Sequence, residues 1–344
     1  MKRIATTILA VAMSAAMLTA CGAPASQSNT TPPENDSSVQ TETSSNSEES
    51  SKEFSIYYPS YMQEAEGEKL VLEQKPEKII VLSNSAMQIL VRCDEKPIAF
   101  RKAPDYINFP DWVRQLPTIE TGMNGLDLET VISMEPDLVI MGSHLKEDYN
   151  QQLKDANIPV YYTSEGPAIS YPEIKEEAIV LARSFGSEDM VKEIEKEFET
   201  VEKRMEELNQ SAKKQSAMIL FGAPPSHQQT SMSYLGSILS MMPFENISDT
   251  LVDVNLRMAP IDMEKLVEVN PEIIFAISPT SPTAEMIQQV YQEEFTNNPQ
   301  IWNSLQAVQN DKVIYLSNEY VTSKGIHIIN SINNLLDMLE EKLA

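Results

Sequence analysis

The sequence contains few of the residues that form disulfides or hold metal ions. It has 2 cysteines and 3 histidines in 344 residues, and Cys21 lies beside an export signal described below. Cys93 then has no second cysteine with which to pair, so we expect it to be a small buried hydrophobic residue. Metal-ion carriers need several histidines and carboxylates around one ion, and three scattered histidines do not fit such a site.

Positive charge is also scarce. The chain has 26 Lys and Arg residues against 51 Asp and Glu residues, which gives a net charge of -25. Non-specific binding of nucleic acid requires a basic face that neutralises phosphates. We therefore predict no nucleic-acid partner, and an anionic ligand would need a local basic pocket.

Signatures of common enzymes are missing as well. The sequence has no Gly-x-Ser-x-Gly elbow, no phosphate-binding loop, no His-Glu-x-x-His and no paired-cysteine zinc site. After residue 20, no apolar run approaches the roughly 20 residues that cross a bilayer. We therefore predict no catalytic residue, no cofactor and no directly bound metal.

Residues 1–20 have the layout of a bacterial signal peptide. Lys2 and Arg3 precede an apolar run that ends in Leu-Thr-Ala before Cys21. This ending resembles a lipobox, which implies cleavage before Cys21 and a lipid on its thiol, and an ordinary export signal is the alternative. Cleavage would change the net charge to 24 − 51 = −27. Residues 21–54, rich in Ser, Thr, Asn, Pro and Glu, are predicted to be an unfolded tether.

One stretch of the chain occurs twice, at residues 126–143 and 261–278. The two copies align without a gap, and the matched pairs are Asp127 with Asp262, Glu129 with Glu264, Pro136 with Pro271, Asp137 with Glu272 and Ser143 with Ser278. Each copy predicts an Asp-capped helix, a stop before Pro, and a buried apolar strand. Helix, turn and strand are half of an α/β crossover unit, so two copies indicate two similar α/β lobes.

The rest of the pattern fits two lobes with central parallel sheets. We predict a hairpin at residues 54–62 and 69–73, then strands at 78–82, 97–101, 138–141 and 157–161 in a lobe spanning 55–186. The second lobe, 210–344, has predicted strands at 216–221, 273–277 and 312–316. Residues 187–209 alternate apolar spacings of three and four, which predicts one long helix. We favour a strut that packs on both lobes over a coiled-coil dimer seam, and therefore a monomer.

Several segments together resemble a known family. These are Lys-Pro-Glu-Lys-Ile-Ile-Val-Leu-Ser at 75–83, Gly-Met-Asn at 122–124, Met-Glu-Pro-Asp-Leu-Val at 134–139 and Asn-Asp-Lys-Val-Ile at 310–314. With the lipobox and tether, they are similar to the helix-linked substrate-binding lipoproteins of ABC importers for ferric siderophores, haem and cobalamin. The resemblance implies two Rossmann-like lobes joined by one helix, with a ligand cleft between them.

The same resemblance implies the partners and the site. Glu129 and Glu264 match the glutamates that dock onto permease arginines, although both would also stabilise the first turn of a helix. Strand ends facing a cleft nominate the ligand residues. These are Ser83, Asn84, Arg101, Met123, Asn124, Ser143, His144, Phe221, His227, Tyr234, Arg257, Ser278 and Tyr320. Arg101 and Arg257 suit the carboxylates or catecholate oxygens of an iron chelate.

The resemblance leaves the ligand open. Haem-binding members ligate iron through a Met near Met123 and a His after the strand that matches residues 273–277, but here Ser278 to Pro282 contains no His. We therefore expect a ferric siderophore or related iron chelate, with haem or cobalamin as alternatives. A chelatase-like enzyme of the same architecture and a lipid-anchored sensor are the alternatives from other classes.

Overall fold

A computed structural model of the chain describes residues 53–103, 107–122, 125–164, 169–253, 255–322 and 324–343. The predicted signal peptide, most of the predicted tether and the lipid-anchor candidate Cys21 lie outside these residues, as do the ligand candidates Met123 and Asn124. Within the described ranges, no helix is both long enough and apolar enough to cross a bilayer.

The described part begins with a hairpin that lies against the first lobe. Strand β1 (Phe54–Tyr57) pairs antiparallel with β2 (Lys69–Leu72), and a 3₁₀ turn and helix α1 (Gln63–Glu66) connect them. The Tyr161 hydroxyl donates to the carbonyl of Tyr57 at 3.0 Å. The predicted hairpin is confirmed, but its first strand ends at Tyr57 because the following residues turn into helix.

Five parallel strands form the sheet of the N-terminal lobe, in the order β5-β4-β3-β8-β9. The strands of this lobe are β3 (Ile79–Val81), β4 (Ala99–Arg101), β5 (Thr118–Ile119), β6 (Thr121–Gly122), β7 (Gly125–Leu126), β8 (Leu138–Gly142) and β9 (Val160–Thr163), of which β6 and β7 form a separate antiparallel pair. Its helices are α2 (Asn84–Arg92), α3 (Asp111–Arg114), α4 (Leu128–Ser133), α5 (Lys146–Asp155) and α6 (Tyr171–Phe185). All residues of β3 and β8 are buried, as expected of a parallel sheet covered on both faces.

Helix α7 (Glu188–Ser211) connects the two sheets. It corresponds to the long helix predicted at 187–209. Its apolar stripe is buried and consists of Ile194, Phe198, Val201, Met205 and Leu208. On one side, the carboxylate of Glu202 in α7 accepts a hydrogen bond from the hydroxyl of Tyr171 in α6 at 3.1 Å. On the other side, α7 packs against the C-terminal helix, described next. Because the chain itself covers the stripe, the coiled-coil dimer alternative is wrong.

The C-terminal lobe contains a sheet in the order β13-β11-β10-β14-β15, and a further strand, β12, pairs with β10. The strands are β10 (Gln215–Phe221), β11 (His227–Gln229), β12 (Phe244–Asn246), β13 (Met258–Pro260), β14 (Ile273–Ile277) and β15 (Val313–Leu316). The helices are α8 (Tyr234–Leu239), α9 (Ser248–Leu251), α10 (Met263–Val269), α11 (Ala284–Asn297), α12 (Pro299–Trp302), α13 (Gln306–Gln309), α14 (Glu319–Thr322) and α15 (His327–Leu343). Alternate residues of β10 and β14 enter two different apolar clusters, so helices cover both faces of this sheet too.

Both copies of the duplicated stretch fold in the same way. Asp127 caps α4 by accepting the backbone N–H of Thr130 at 3.1 Å, and Asp262 caps α10 by accepting those of Glu264 and Lys265 at 3.1 and 3.2 Å. Each helix is followed by a five-residue buried strand, β8 or β14. The prediction of two α/β lobes built on this repeat is confirmed.

The acid after Pro makes an equivalent contact in each lobe. Asp137 accepts the backbone N–H groups of Glu77 and Lys78 at 2.8 and 2.9 Å, just before β3. Glu272 accepts that of Ser216 at 2.9 Å, at the start of β10. In both lobes the carboxylate thus joins the start of one central strand to the start of its parallel neighbour.

Cys93 is expected to react slowly with thiol reagents. Burial raises the pKa of its thiol to about 11, with a further contribution from Glu95. At pH 8 the reactive thiolate is then roughly one thousandth of the thiol. We expect colorimetric titration with a disulfide reagent to give slow labelling of the native protein, rising with pH, and fast labelling in denaturant. Equally fast labelling of both states would show that the thiol is exposed.

Candidate functional site

In each lobe the carboxyl ends of the parallel strands form one edge of the sheet, where ligands of open α/β sheets bind. In the N-terminal lobe β3, β4 and β8 end close to Ser83, Arg101 and Ser143. In the C-terminal lobe β10 ends with Phe221, and Ser278 follows β14. Five residues nominated from the sequence therefore lie at strand ends, as the sequence predicted.

Ser83 and Asn84 differ in what they can offer a ligand. The hydroxyl of Ser83 is buried, caps α2 by accepting the N–H of Ala86 at 3.2 Å, and lies 2.9 Å from that of Ser85. Asn84 is half-buried, and within the described ranges its Oδ1 accepts no hydrogen bond. Because a buried oxygen without a donor costs free energy, Asn84 is the better ligand candidate of the two.

The segment after β8 connects two groups of nominated residues. Ser143 is half-buried and His144 exposed in a 3₁₀ turn that leads into α5. Tyr149 of α5 accepts the backbone N–H of Leu126 in β7 at 2.8 Å. This contact fixes the β6–β7 pair to α5, and the sequence places Met123 and Asn124 between those two strands.

Phe221 and His227 lie opposite each other in the antiparallel pair β10–β11. Both are half-buried, so the aromatic ring and the imidazole belong to the same edge. Ser278 follows the neighbouring strand β14, is buried, and has its hydroxyl 3.0 Å from that of Thr280. The structure thus brings together three of the residues nominated in this lobe.

Arg257 lies elsewhere. Strand β13 runs antiparallel to β11, with Pro260 opposite His227 and Met258 opposite Gln229. Arg257 precedes Met258, so it lies three residues, or about 10 Å, back from the level of His227. Its guanidinium donates to the carbonyl of Met232 at 2.6 Å. The sequence could not show the position of Arg257, because β11 and β13 are short strands with no clear apolar pattern.

Tyr234 and Tyr320 belong to the core of the C-terminal lobe. They are 3% and 4% exposed, and their helices α8 and α14 pack against each other. Burial raises the pKa of Tyr320, with a smaller contribution from Glu319. Both side chains are therefore buried in the core and have almost no surface left for the direct ligand contact expected of them.

In the N-terminal lobe, positive charge lies at the end of β4. Arg101 is half-buried at the end of β4, and Lys102 follows it on the exposed surface. The corresponding edge of the C-terminal lobe offers the imidazole of His227 and the hydroxyls of Ser278 and Thr280. Sequence reasoning missed Lys102 and Thr280, although each lies within two positions of a nominated strand-end residue.

Glu129 and Glu264 occupy equivalent exposed positions in the two lobes. Each lies in the first turn of the helix that the duplicated Asp caps, α4 or α10. Their carboxylates interact favourably with the positive ends of these helices and remain open to a partner. Among the described residues, no group of three His, Cys, Asp or Glu side chains is arranged to hold a metal ion.

A family model described as "Periplasmic binding protein" matches residues 79–320, from the first central strand to α14. The chain belongs to this family. Periplasmic binding proteins are solute-binding proteins, and the match covers all the strand ends described above.

Three individual proteins extend this comparison. A Bacillus subtilis (strain 168) protein named "Uncharacterized ABC transporter substrate-binding lipoprotein YvrC" is 21% identical over 349 residues, covering 98% of each chain. The "Fe(3+)-citrate-binding protein YfmC" of the same organism is 24% identical over 252 residues, 71% of this chain and 74% of its own. The crystal structure of an ABC transporter substrate-binding protein from Listeria monocytogenes EGD-e superposes with a TM-score of 0.65 at 20% identity, covering 77% of this chain and 98% of that one. This likeness shows the two-lobed fold.

Proposed function

We propose that this periplasmic binding protein captures an iron chelate, such as a ferric siderophore or ferric citrate, between its lobes. It then delivers the chelate to the transmembrane subunits of an ABC permease. It acts as a monomer on the extracytoplasmic face of the cell membrane, held there by a lipid on Cys21. The named relatives support the transport role, the lipid anchor and the iron chelate.

One observation carries the choice of ligand. A guanidinium lies at the end of β4 in one lobe. In the other lobe an imidazole lies at the start of β11, opposite the end of β10, and hydroxyls follow β14. Arg101 suits the carboxylates or catecholate oxygens of a chelate, because it can donate two parallel charge-assisted hydrogen bonds. The half-buried ring of Phe221 suits the organic part of the same molecule.

Haem is a second candidate because of His227. This half-buried imidazole lies opposite Phe221 at the edge of the C-terminal lobe, one strand away from the loop after β14 that lacks a histidine. Neutral imidazole is a common iron ligand. If haem is the ligand, we expect the absorption shift on haem binding to be lost when His227 is replaced by Ala.

Titration of ligands against intrinsic tryptophan fluorescence tests the proposal. We expect saturable, reversible quenching by ferric citrate or by a hydroxamate or catecholate siderophore, with haemin and cobalamin in the same panel. Arg101→Ala should weaken binding about tenfold or more, because a charge-assisted hydrogen bond contributes about 1.5–3 kcal/mol. Arg257→Ala is the matched control, since its backbone lies about 10 Å back along the strand direction from the level of His227 and its guanidinium donates to the carbonyl of Met232. Turnover of a chelate without reversible binding would instead support the chelatase-like alternative.

A further inference from the structure

Helix α11 reaches the strand ends of the C-terminal lobe through a tyrosine. Tyr291 is fully buried and donates its hydroxyl to the carbonyl of Ile277 at 3.1 Å. The same carbonyl accepts the backbone N–H of Gly222 at 3.0 Å. Ile277 ends β14 and Gly222 directly follows β10, so this one carbonyl joins both strand ends to α11.

A carboxylate one helical turn further along holds the other end of the β10–β11 loop. Glu294 is 4% exposed and accepts hydrogen bonds from the hydroxyl and the backbone N–H of Ser226, the latter at 3.4 Å. Ser226 directly precedes His227. Burial of a carboxylate costs free energy that hydrogen bonds of this kind offset, so packing of α11 alone does not account for a glutamate here.

These two side chains hold the loop of residues 222–226. The middle of this loop is exposed to solvent. Ala223, Pro224 and Pro225 are exposed, whereas Ser226 is buried. Proline has a fixed φ angle and no backbone N–H, so the exposed part of the loop is stiff and apolar. It lies between Phe221 and His227, the two side chains that the pairing of β10 with β11 puts at the edge.

We propose that Glu294 and Tyr291 are positioning residues of the ligand site. They fix loop 222–226 as an apolar wall beside Phe221 and His227, against which the organic part of the chelate packs. Both act through other groups, Glu294 through Ser226 and Tyr291 through the carbonyl of Ile277. Burial raises the pKa of Tyr291, which keeps its hydroxyl in the donating form. This inference rests on the proposed function for its ligand, but the geometry of the loop can be tested without one.

Hydrogen exchange of the full chain without ligand tests the positioning. Glu294→Leu removes the acceptor, and we expect the peptide that contains 221–227 to exchange at least about tenfold faster while the strands β8 and β9 keep their protection. Glu294→Gln retains an oxygen that accepts from Ser226, so it should restore most of the protection. Glu293→Gln, at the exposed neighbouring position, is the matched control and should leave exchange unchanged. Unchanged exchange in Glu294→Leu would overturn the inference.

The same variants are then titrated with ferric citrate and haemin. We expect Glu294→Leu to lower the affinity for the probe that the wild type binds by about tenfold, with a faster dissociation rate. The affinity of Glu294→Gln should stay within a few-fold of the wild-type value. A melting temperature that falls while affinity and dissociation rate stay the same would show a merely structural role. If the wild type binds no probe in the panel, the proposed function fails, and the exchange measurement still decides whether Glu294 holds the loop.

Discussion

Replacing both Glu129 and Glu264 with Lys is expected to reduce uptake of the proposed iron chelate at least about 100-fold and to leave its affinity for the protein unchanged. The two carboxylates are exposed, lie at equivalent positions of the two lobes, and have no part in the strand-end site. If they bind permease arginines, the reversal replaces two attractions with two repulsions, and close like charges at an interface cost several kcal/mol. Radioiron uptake by cells that carry only the variant measures the effect.

A matched double variant separates docking from net charge. Glu135→Lys with Glu268→Lys changes the total charge equally and lies in the same duplicated units, but beyond the first helical turns. We expect near-normal uptake from this control. Single reversals should give intermediate losses, because one of the two lobes would keep its contact. Lost ligand affinity in the Glu129 and Glu264 double variant, or uptake equal to that of the control, would refute the docking assignment.

The central strands could be predicted because their signals are local. In residues 126–143 and 261–278, an Asp cap, an apolar stripe, a Pro stop and a short apolar run follow one another within 18 residues. Strands β8 and β14 are accordingly buried at all five positions. Helix α7 was predictable for the same reason, since its stripe repeats every three or four residues along 24 residues.

Strands β11 and β13 could not be predicted, because nothing in their composition marks them as strands. β11 reads His-Gln-Gln, and it is buried by contacts with residues far along the chain, such as the amide of Gln228 that donates to the carbonyl of Pro260 at 3.1 Å. β13 ends in Pro260, and a proline is tolerated in a sheet mainly on edge strands because it has no backbone N–H to donate. β11 runs antiparallel to β10, and β13 runs antiparallel to β11. Arg257 precedes β13 and so lies away from the strand ends, which the sequence could not show.

The strand-end positions of several candidate residues could be predicted from the sequence, but the residues that hold the neighbouring loop could not. The rule about parallel strands selects residues at the carboxyl end of a strand or just after it, and it selected Arg101, Phe221 and Ser278. It cannot find Glu294, which follows no strand and reaches the loop from a helix 68 residues after Ser226. A glutamate in an amphipathic helix is normally assigned to the solvent face, so only the fold shows that this one is buried.

Replacing Phe198 of α7 with Ala is expected to lower the free energy of unfolding by about 3–5 kcal/mol. The ring is fully buried and lies 6.2 Å from that of Tyr171, between their centroids, at the point where α7 packs on α6. The substitution leaves a cavity that cannot collapse easily, because α7 is packed between α6 of one lobe and α15 of the other. At about 2–4 °C per kcal/mol for a protein of this size, the melting midpoint should fall by roughly 10 °C. Denaturant unfolding and thermal scans measure both quantities.

Glu199→Ala provides the comparison, since the neighbouring side chain is exposed on the same helix and its loss should change stability by less than about 0.5 kcal/mol. A Phe198→Ala variant as stable as this control would mean that α7 is not clamped between helices of the two lobes. The result also bears on binding, because a helix that packs on both lobes sets the spacing of the two strand-end edges. If α7 is that spacer, Phe198→Ala should weaken binding of the proposed iron chelate even below the temperature at which the variant begins to unfold.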